Sequence, residues 1–187
     1  VLAGNDGSDI PRDQRARHCL SKEERMVGAL REQLMLRFIF SVPGMPCVYY
    51  GDEAGTEGCA DPFCRRTYPW GHEDQDMLAR YKAMTAMRND HPVLRTGECA
   101  YIAPCADVLG VIRTNENGQD AFGHAAENAC AVTLINRSAR EVTVYLTAED
   151  VSGAKTLVTD DGQTLTARSG AFSVKVKGLQ GMTGFAK

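Results

Sequence analysis

The stretch Gly44–Trp70, "GMPCVYYGDEAGTEGCADPFCRRTYPW", decides how the chain is built. Its opening, "MPCVYY", is short, apolar on both faces and bounded by turn residues, the pattern of a fully buried strand in a parallel sheet. It runs at once into a long, glycine-punctuated loop crowded with carboxylates, arginines and aromatics. In barrels of alternating strands and helices, the loop after each strand sits on the face where ligands bind. A ligand-facing loop is therefore expected after Tyr50.

Both flanks read as helix. Upstream, "SKEERMVGALREQLMLRFIFS" opens with a capping box, in which Ser21 accepts from the amide of Glu24 while Glu24 reaches back. Met26, Leu30, Leu34 and Phe38 fall on one stripe, widened by Val27 and Leu36, and Pro43-Gly44 ends the run. Downstream, "EDQDMLARYKAMTAMRND" has acids in its first turn and Met77, Tyr81, Met84 and Arg88 on one face, with His91-Pro92 as the stop. One parallel strand cannot pair its own amides, so residues 1–95 are expected to be the last piece of an α/β sheet whose other strands lie upstream.

After Leu94 the texture changes. "DVLGVIRT", "ACAVTLINR", "EVTVYLTA", "AKTLVTD", "QTLTAR" and "AFSVKVKG" are short, near-alternating runs rich in Val, Thr and Leu and separated by turn residues. They predict an antiparallel β-sandwich over 96–187, with "NENGQDAFGHAAEN" as an exposed connector. The expected fold class is α/β plus all-β.

Composition narrows the function. The chain has 187 residues, 43% of them hydrophobic and 24% charged, with a net charge of −3 and no basic block, which argues against nucleic acid or an anionic membrane as partner. The longest apolar-rich stretch, "LMLRFIFSVPGMPCVYY", is interrupted by Arg37, Pro43 and Pro46, against a membrane span. No charged region followed by an apolar run marks a signal peptide at the start. Seven irregularly spaced cysteines make a poor disulfide framework, and none forms C-x-x-C or stands at zinc-ligand spacing to a histidine. Reduced thiols in a cytoplasmic protein are expected, with no metal and no cofactor. Cys47 and Cys130 lie in apolar runs as small core hydrophobes, and Cys47, Cys59 and Cys64 have no part in the chemistry.

Within the loop, Asp52 and Glu53 could form an acid/base pair, but neighbours on an extended chain point to opposite faces. The reading favoured for them is one carboxylate holding the loop backbone and one in solvent. Asp61 and Arg65 in "DPFCRR" stand four apart around Pro62, close enough to pair in a turn. Such a pair anchors a loop, or presents a donor fork and an acceptor to vicinal hydroxyls. Tyr68 and Trp70 offer ring faces for stacking on sugars, or, for Trp70, a plug against the barrel wall.

These residues carry a resemblance. "SVPGMPCVYYGDEAGTEGCADPFCRRTYPWG" resembles the eighth strand and following loop of the α-amylase family of glycoside hydrolases, in the branch of neopullulanases, cyclomaltodextrinases and maltogenic amylases. The P-G-x-P-x-x-Y-Y-G-D-E core matches Pro43–Glu53 and the D-P-x-x-R-R element matches Asp61–Arg66. "MLARYKAMTAMRNDHPVLRTGE" is similar to the eighth barrel helix, leading into a C-terminal β-sandwich. The resemblance covers about residues 20–98 by motif and the rest by architecture.

The resemblance implies the C-terminal piece of a (β/α)8 barrel, 1–95, then a β-sandwich, 96–187. It implies a retaining hydrolase of α-1,4 linkages, with α-1,6 as an additional option, in maltodextrins, cyclodextrins or pullulan. Retention needs two carboxyls about 5 Å apart, and the family's catalytic motifs fall on earlier strands. Asp6, Asp9, Asp52 and Glu53 are accordingly not assigned as the catalytic pair, and this chain alone is expected to be inactive. Asp61 and Arg65 match residues that bind glucose units on the non-reducing side of the cleavage point; Asp52, Glu53, Arg66, Tyr68 and Trp70 shape the loop. The implied partners are an α-glucan, the remainder of the barrel and, for the full-length protein, a second copy through an N-terminal domain. Two other readings compete: a non-catalytic carbohydrate-binding or interaction module, and an amylase-like protein without catalysis. Against the module, most of Tyr101, Phe122, Tyr145, Phe172 and Phe185 are expected in core or turn packing.

Overall fold

A computed structural model describes residues 7–187. Residues 1–6, Asp6 among them, lie outside the described residues. The chain forms two compact units: one made of the chain up to Gln33 together with Cys47–Ala83, the other of Leu34–Pro46 with Met84–Lys187. Two helices, α2 (Lys22–Ser41) and α3 (Gln75–Asp90), run through both divisions of the sequence.

The first unit holds α1 (Arg12–Arg15), the leading parts of α2 and α3 and a 3-10 turn at Asp52–Ala54. The capping box of α2 forms as expected: the Glu24 amide donates to Ser21 Oγ at 3.2 Å and the Ser21 amide to Glu24 Oε2 at 2.9 Å. α3 is capped by Asp74, whose Oδ1 accepts the amides of Asp76 and Met77. The expected face of α3 is buried through Met77 and Tyr81. Tyr81 also donates its hydroxyl to Glu32 Oε1 at 2.8 Å, which joins α3 to α2 within this unit. Burial raises the Glu32 carboxyl to about 7; the Tyr81 hydrogen bond opposes that shift, the Asp52 and Asp74 carboxylates add to it, and Arg80 opposes it.

Two expectations fail here. Residues 46–50 do not form a strand, Met45 is 93% exposed, and Cys47, Val48, Tyr49 and Tyr50 all lie at the surface. A strand is held by its ladder, and residues 46–50 belong to neither sheet of the described residues. Cys47 is thus not a core residue. The helical stripe of α2 also turns: Met26 is exposed, and burial concentrates at Leu34, Leu36, Arg37, Phe40 and Ser41.

The second unit is all-β apart from its helical segments. Its strands are β1 (Glu98–Cys105), β2 (Val108–Asn115), β3 (Ala129–Asn136), β4 (Val142–Thr147), β5 (Thr156–Thr159), β6 (Thr164–Thr166), β7 (Ala171–Val176) and β8 (Gln180–Ala186). They form an antiparallel six-stranded sheet, β1-β2-β3-β8-β5-β6, and a two-stranded sheet, β4-β7. Six strands stand where alternation predicts them; β1 and β8 do not appear in that reading. β8 occupies the middle of the large sheet, and its glycines interrupt the alternation that marks a strand. Gly181 is needed for close approach: a Cβ there would meet Arg37 Cδ at 2.6 Å and the Leu134 carbonyl oxygen at 2.7 Å.

The core explains which strands alternate. Cys130, Val132 and Leu134 on one face of β3 pack with Val144, Leu146, Phe172, Val174 and Val176 of the small sheet. β4 and β7 cover only that core and alternate strictly. β3 is buried along nearly its whole length because its other face is covered too. There Ala131 packs with Met87, Val93 and Leu94. Thr133 Oγ1 joins Ser41 Oγ at 2.9 Å and Thr183 Oγ1 at 3.0 Å. Arg37 donates to the same Thr183 hydroxyl and pairs with Asp160 at 2.8 Å.

Two more arginines hold the helix ends of this unit. Arg113, on β2 and 1% exposed, donates to the carbonyls of Ser41, Leu94, Gly97 and Glu98. Arg88, at the end of α3, donates to the carbonyls of Phe40, Val42 and Gly44. Arg113→Met is expected to cost about 3 kcal/mol or more, since several buried carbonyls lose their donor at once. In a chain of this size that lowers Tm by roughly 6–12 °C. Thermal unfolding followed by circular dichroism checks it, and a drop below about 2 °C would show that the carbonyls find other donors.

Glu32 gives a pH signature. Its folded pKa lies above the ordinary carboxyl value, so its stabilising effect is complete below about 4.5 and is lost as pH rises through about 7. Glu32→Gln is expected to gain on wild type between pH 5 and pH 8, measured as the difference in Tm at the two pH values. A difference that stays the same at both would remove Glu32 as the cause.

Candidate substrate-binding loop

The loop after Tyr50 is tied down at several points within the first unit. Asp52–Ala54 form a 3-10 turn, not extended chain. Glu53 Oε2 accepts the Gly51 amide at 2.9 Å, so Glu53 is the carboxylate that holds backbone. Asp52 is half-buried instead of free in solvent, and burial together with the Glu53 charge raises its pKa. The Asp74 amide donates to the Ala54 carbonyl, which fixes the loop's far end to the start of α3.

Glu57 is a residue that the sequence reading passed over. Its Oε2 accepts the Leu20 amide at 2.8 Å and its Oε1 lies 2.5 Å from Arg25 Nη2. Nothing in "GTEGC" signals this, because its partners lie 37 and 32 positions away. Arg66 mirrors it from the other end of the loop, donating through Nη2 to the His18 carbonyl at 2.7 Å and the Arg15 carbonyl at 3.4 Å. The Tyr50 hydroxyl donates to the Arg66 carbonyl at 3.1 Å. Together these contacts bind the loop to the segment Arg15–Leu20.

Between Glu57 and Arg66 the chain turns out to solvent. Arg65 Nε donates to Asp61 Oδ1 at 2.8 Å, and both side chains are about two-thirds exposed. The contact is one-pronged. Asp61 Oδ2 and the two terminal nitrogens of Arg65 have no hydrogen bond among the described residues, so both polarities remain available to a ligand. The hydrogen bond and charge of Asp61 raise the Arg65 pKa further and keep it a cation. Tyr68 and Trp70 pack against each other with ring centroids 4.5 Å apart, and Trp70 is 80% exposed, so it plugs into nothing within the unit. A donor fork, an acceptor and an exposed ring face on one anchored loop are the groups that sugar hydroxyls and sugar rings engage.

Other features lie apart from this loop. A groove of about 400 Å³ between the starts of α2 and α3 is lined by residues such as Lys22, Arg25, Met26, Asp74, Met77 and Arg80, and by none of the residues expected to form the site. Among the described residues, no three His, Cys, Asp or Glu side chains converge as a metal site, and all seven cysteines are free. No helix of the described residues is long and apolar enough to cross a membrane.

Comparison with known proteins gives this loop its setting. No protein-family model matches the chain. It is 37% identical over 182 residues to an amylopullulanase of Thermoanaerobacter thermohydrosulfuricus, which covers 97% of this chain and 12% of that protein. It is 34% identical over 92 residues to a cyclomaltodextrinase of Bacillus sp, 48% of this chain and 16% of the relative. The chain therefore spans a small part of the length of the relatives it matches. Among solved structures, an Anoxybacillus α-amylase described as a new glycosyl hydrolase subclass superposes with a TM-score of 0.73, at 21% identity, over 87% of this chain and 35% of that one. AmyP, solved in complex with maltose, superposes with a TM-score of 0.71, at 20% identity, over 92% of this chain and 37% of that one. These structures share the fold, and the amylopullulanase shares the sequence along nearly all of this chain. The chain belongs to the α-amylase family of glycoside hydrolases.

Proposed function

We propose that this chain is the C-terminal part of a retaining α-glucan hydrolase acting on α-1,4 linkages, and on α-1,6 linkages as an additional activity, in maltodextrins, cyclodextrins or pullulan. Residues 1–95 complete a (β/α)8 barrel and 96–187 form its C-terminal β domain. The branch is that of neopullulanases and cyclomaltodextrinases. The exposed, unpaired segment Met45–Tyr50 supports this, since an apolar run of that kind is stable only as a strand among neighbours. The catalytic carboxylates belong to the remainder of the barrel, and the chain alone releases no sugar. A cytoplasmic location fits the seven free cysteines.

One observation carries the site assignment: the Asp61–Arg65 pair is held out to solvent on a loop anchored at Glu57 and Arg66, with ligand-binding capacity left over on both partners. An exposed ion pair contributes little to stability, so the pair is better explained by binding. Asp61 and Arg65 hold glucose units away from the cleaved bond, while Asp52, Glu53, Arg66, Tyr68 and Trp70 shape the loop. In the intact enzyme, Asp61→Ala or Arg65→Ala is expected to raise KM for maltoheptaose more than for maltotriose. Loss of a charge-assisted contact amounts to about 1.5–3 kcal/mol, tenfold to more than a hundredfold. Equal effects on the two sugars would assign the pair to loop anchoring.

A second reading is favoured by a specific finding. Most of the five aromatics after residue 96 are expected in core or turn packing, yet three are exposed: Tyr101 on β1, Phe122 in the connector and Tyr145 on β4, the last at 70%. Only Phe172, in the core, and Phe185, stacked on His91 at 3.6 Å, pack as expected. A β domain that itself binds glucan would use such rings. Isothermal titration of this chain with maltoheptaose separates the two: binding lost in Tyr101→Ala and Tyr145→Ala but kept in Asp61→Ala favours the module.

A further inference from the structure

The tip of the loop, residues 60–65, is two turns in succession. The Phe63 amide donates to the Ala60 carbonyl and the Arg65 amide to the Pro62 carbonyl, each at 3.1 Å. Asp61 lies inside the first turn, Arg65 ends the second, and Phe63 belongs to both. The tip closes on itself: Asp61 Oδ1 accepts from Arg65 Nε at 2.8 Å and from Cys64 Sγ at 3.8 Å. Its back lies against Gly58, where a Cβ would stand 3.0 Å from the Phe63 carbonyl oxygen and 2.7 Å from the Cα of Cys64. Turning Phe63 therefore turns Asp61 and Arg65 with it. The half-buried ring of Phe63 lies under the guanidinium of Arg12, whose Cζ stands 5.7 Å from the ring centroid. A cation over the face of a ring and within about 6 Å of its centroid is attracted to it. Arg12 comes from α1, and that helix is itself fixed to the loop, since the Arg15 carbonyl accepts from Arg66 Nη2.

We propose that Arg12 is a positioning residue for the Asp61–Arg65 pair, acting through the ring of Phe63. The inference rests on the reading of that pair as a holder of glucose units. Glu57 and Arg66 fix the two ends of the loop, and the direction of its tip is left to a contact at the tip itself. The Asp61–Arg65 bond cannot set that direction, because both partners belong to the tip and move together. The Arg12 contact can, because it joins the tip to α1, outside the loop. With the tip held, a sugar meets groups already aimed at it; with the tip loose, binding must order it as well. That cost weakens binding at the glucose unit the pair holds and leaves the chemistry at the cleaved bond unchanged, so it falls on long substrates. The contact needs a cation and a ring face. Arg12→Lys therefore keeps it, and Phe63→Leu, which retains apolar bulk without a ring, loses it.

Two measurements test this. In this chain, nitrogen-15 relaxation gives the amide order parameters of Asp61, Phe63, Cys64 and Arg65, where rigid backbone reads about 0.85 and flexible backbone below about 0.6. Arg12→Ala is expected to lower all four, as is Phe63→Leu, while the amides of Ala54 and Glu57 keep their values and Arg12→Lys restores the tip. In the intact enzyme, Arg12→Ala is expected to raise KM for maltoheptaose about two- to fivefold, with KM for maltotriose and kcat for both sugars unchanged. Arg12 is exposed, so its replacement leaves no buried cation site behind. Wild-type order parameters in Arg12→Ala would overturn the proposal, and so would an unchanged maltoheptaose KM in Arg12→Ala beside a raised one in Asp61→Ala. Equal effects of Asp61→Ala on the two sugars would instead remove the glucan reading, and the order parameters alone then decide whether Arg12 holds the tip.

Discussion

The second unit depends on a guanidinium buried without a carboxylate partner of its own. Arg113 sits on β2 and satisfies the carbonyls of Ser41 at the end of α2, of Leu94 and Gly97 in and after the short helix α4 (Val93–Thr96), and of Glu98 at the start of β1. Helix C-termini leave carbonyls unpaired and carry partial negative charge. A buried cation and a set of buried helix ends are each costly alone, and they offset one another. Only arginine fits this place, because it stays charged and has five donors in a fixed fork. Arg88 repeats the arrangement on the carbonyls after Phe40, and Arg37 adds an ion pair to Asp160 beside the Thr133–Thr183 hydroxyls. The ends of α2 and α3 are thereby joined to the sheet by directional polar contacts as well as by apolar packing.

In the first unit long-range polar contacts do similar work on a smaller scale. Glu57 and Arg66 reach back to Leu20, Arg25, His18 and Arg15, and between them the loop is free to present Asp61 and Arg65. The binding role proposed for this loop needs this combination. Its ends must be fixed so that little ordering entropy is lost on binding, and its middle must keep hydrogen-bonding capacity unspent. The single tryptophan lies just after the anchored point and is solvent-facing, consistent with a surface that meets rings.

Much of this was legible in the residues. The capping box at Ser21, the buried face of α3, six of the eight strands, the exposed connector and the Asp61–Arg65 pairing all follow from local rules of spacing and chemistry. The failures share a cause: each depends on what lies across space. Met45–Tyr50 has the composition of a buried strand but belongs to neither sheet of the described residues. β8 carries no strand signal because Gly181 and Gly184 interrupt its alternation, whereas Gly181 is there to let Arg37 and the β3 backbone approach. The stripe of α2 shifts because its later turns are buried by the sheet, not by an even helical face.

The sequence by itself determined the helices, most of the strands, the antiparallel class of the second half and the pairing of Asp61 with Arg65, since each rests on neighbours within a few positions. Tertiary structure alone decided which arginines are buried and on which carbonyls, that Glu57 holds Leu20, and that β8 is central. It also decided that Glu32 meets Tyr81 in a place where burial raises its pKa. Those relations join residues through space, and a buried polar group's partner is set by geometry that no local pattern encodes.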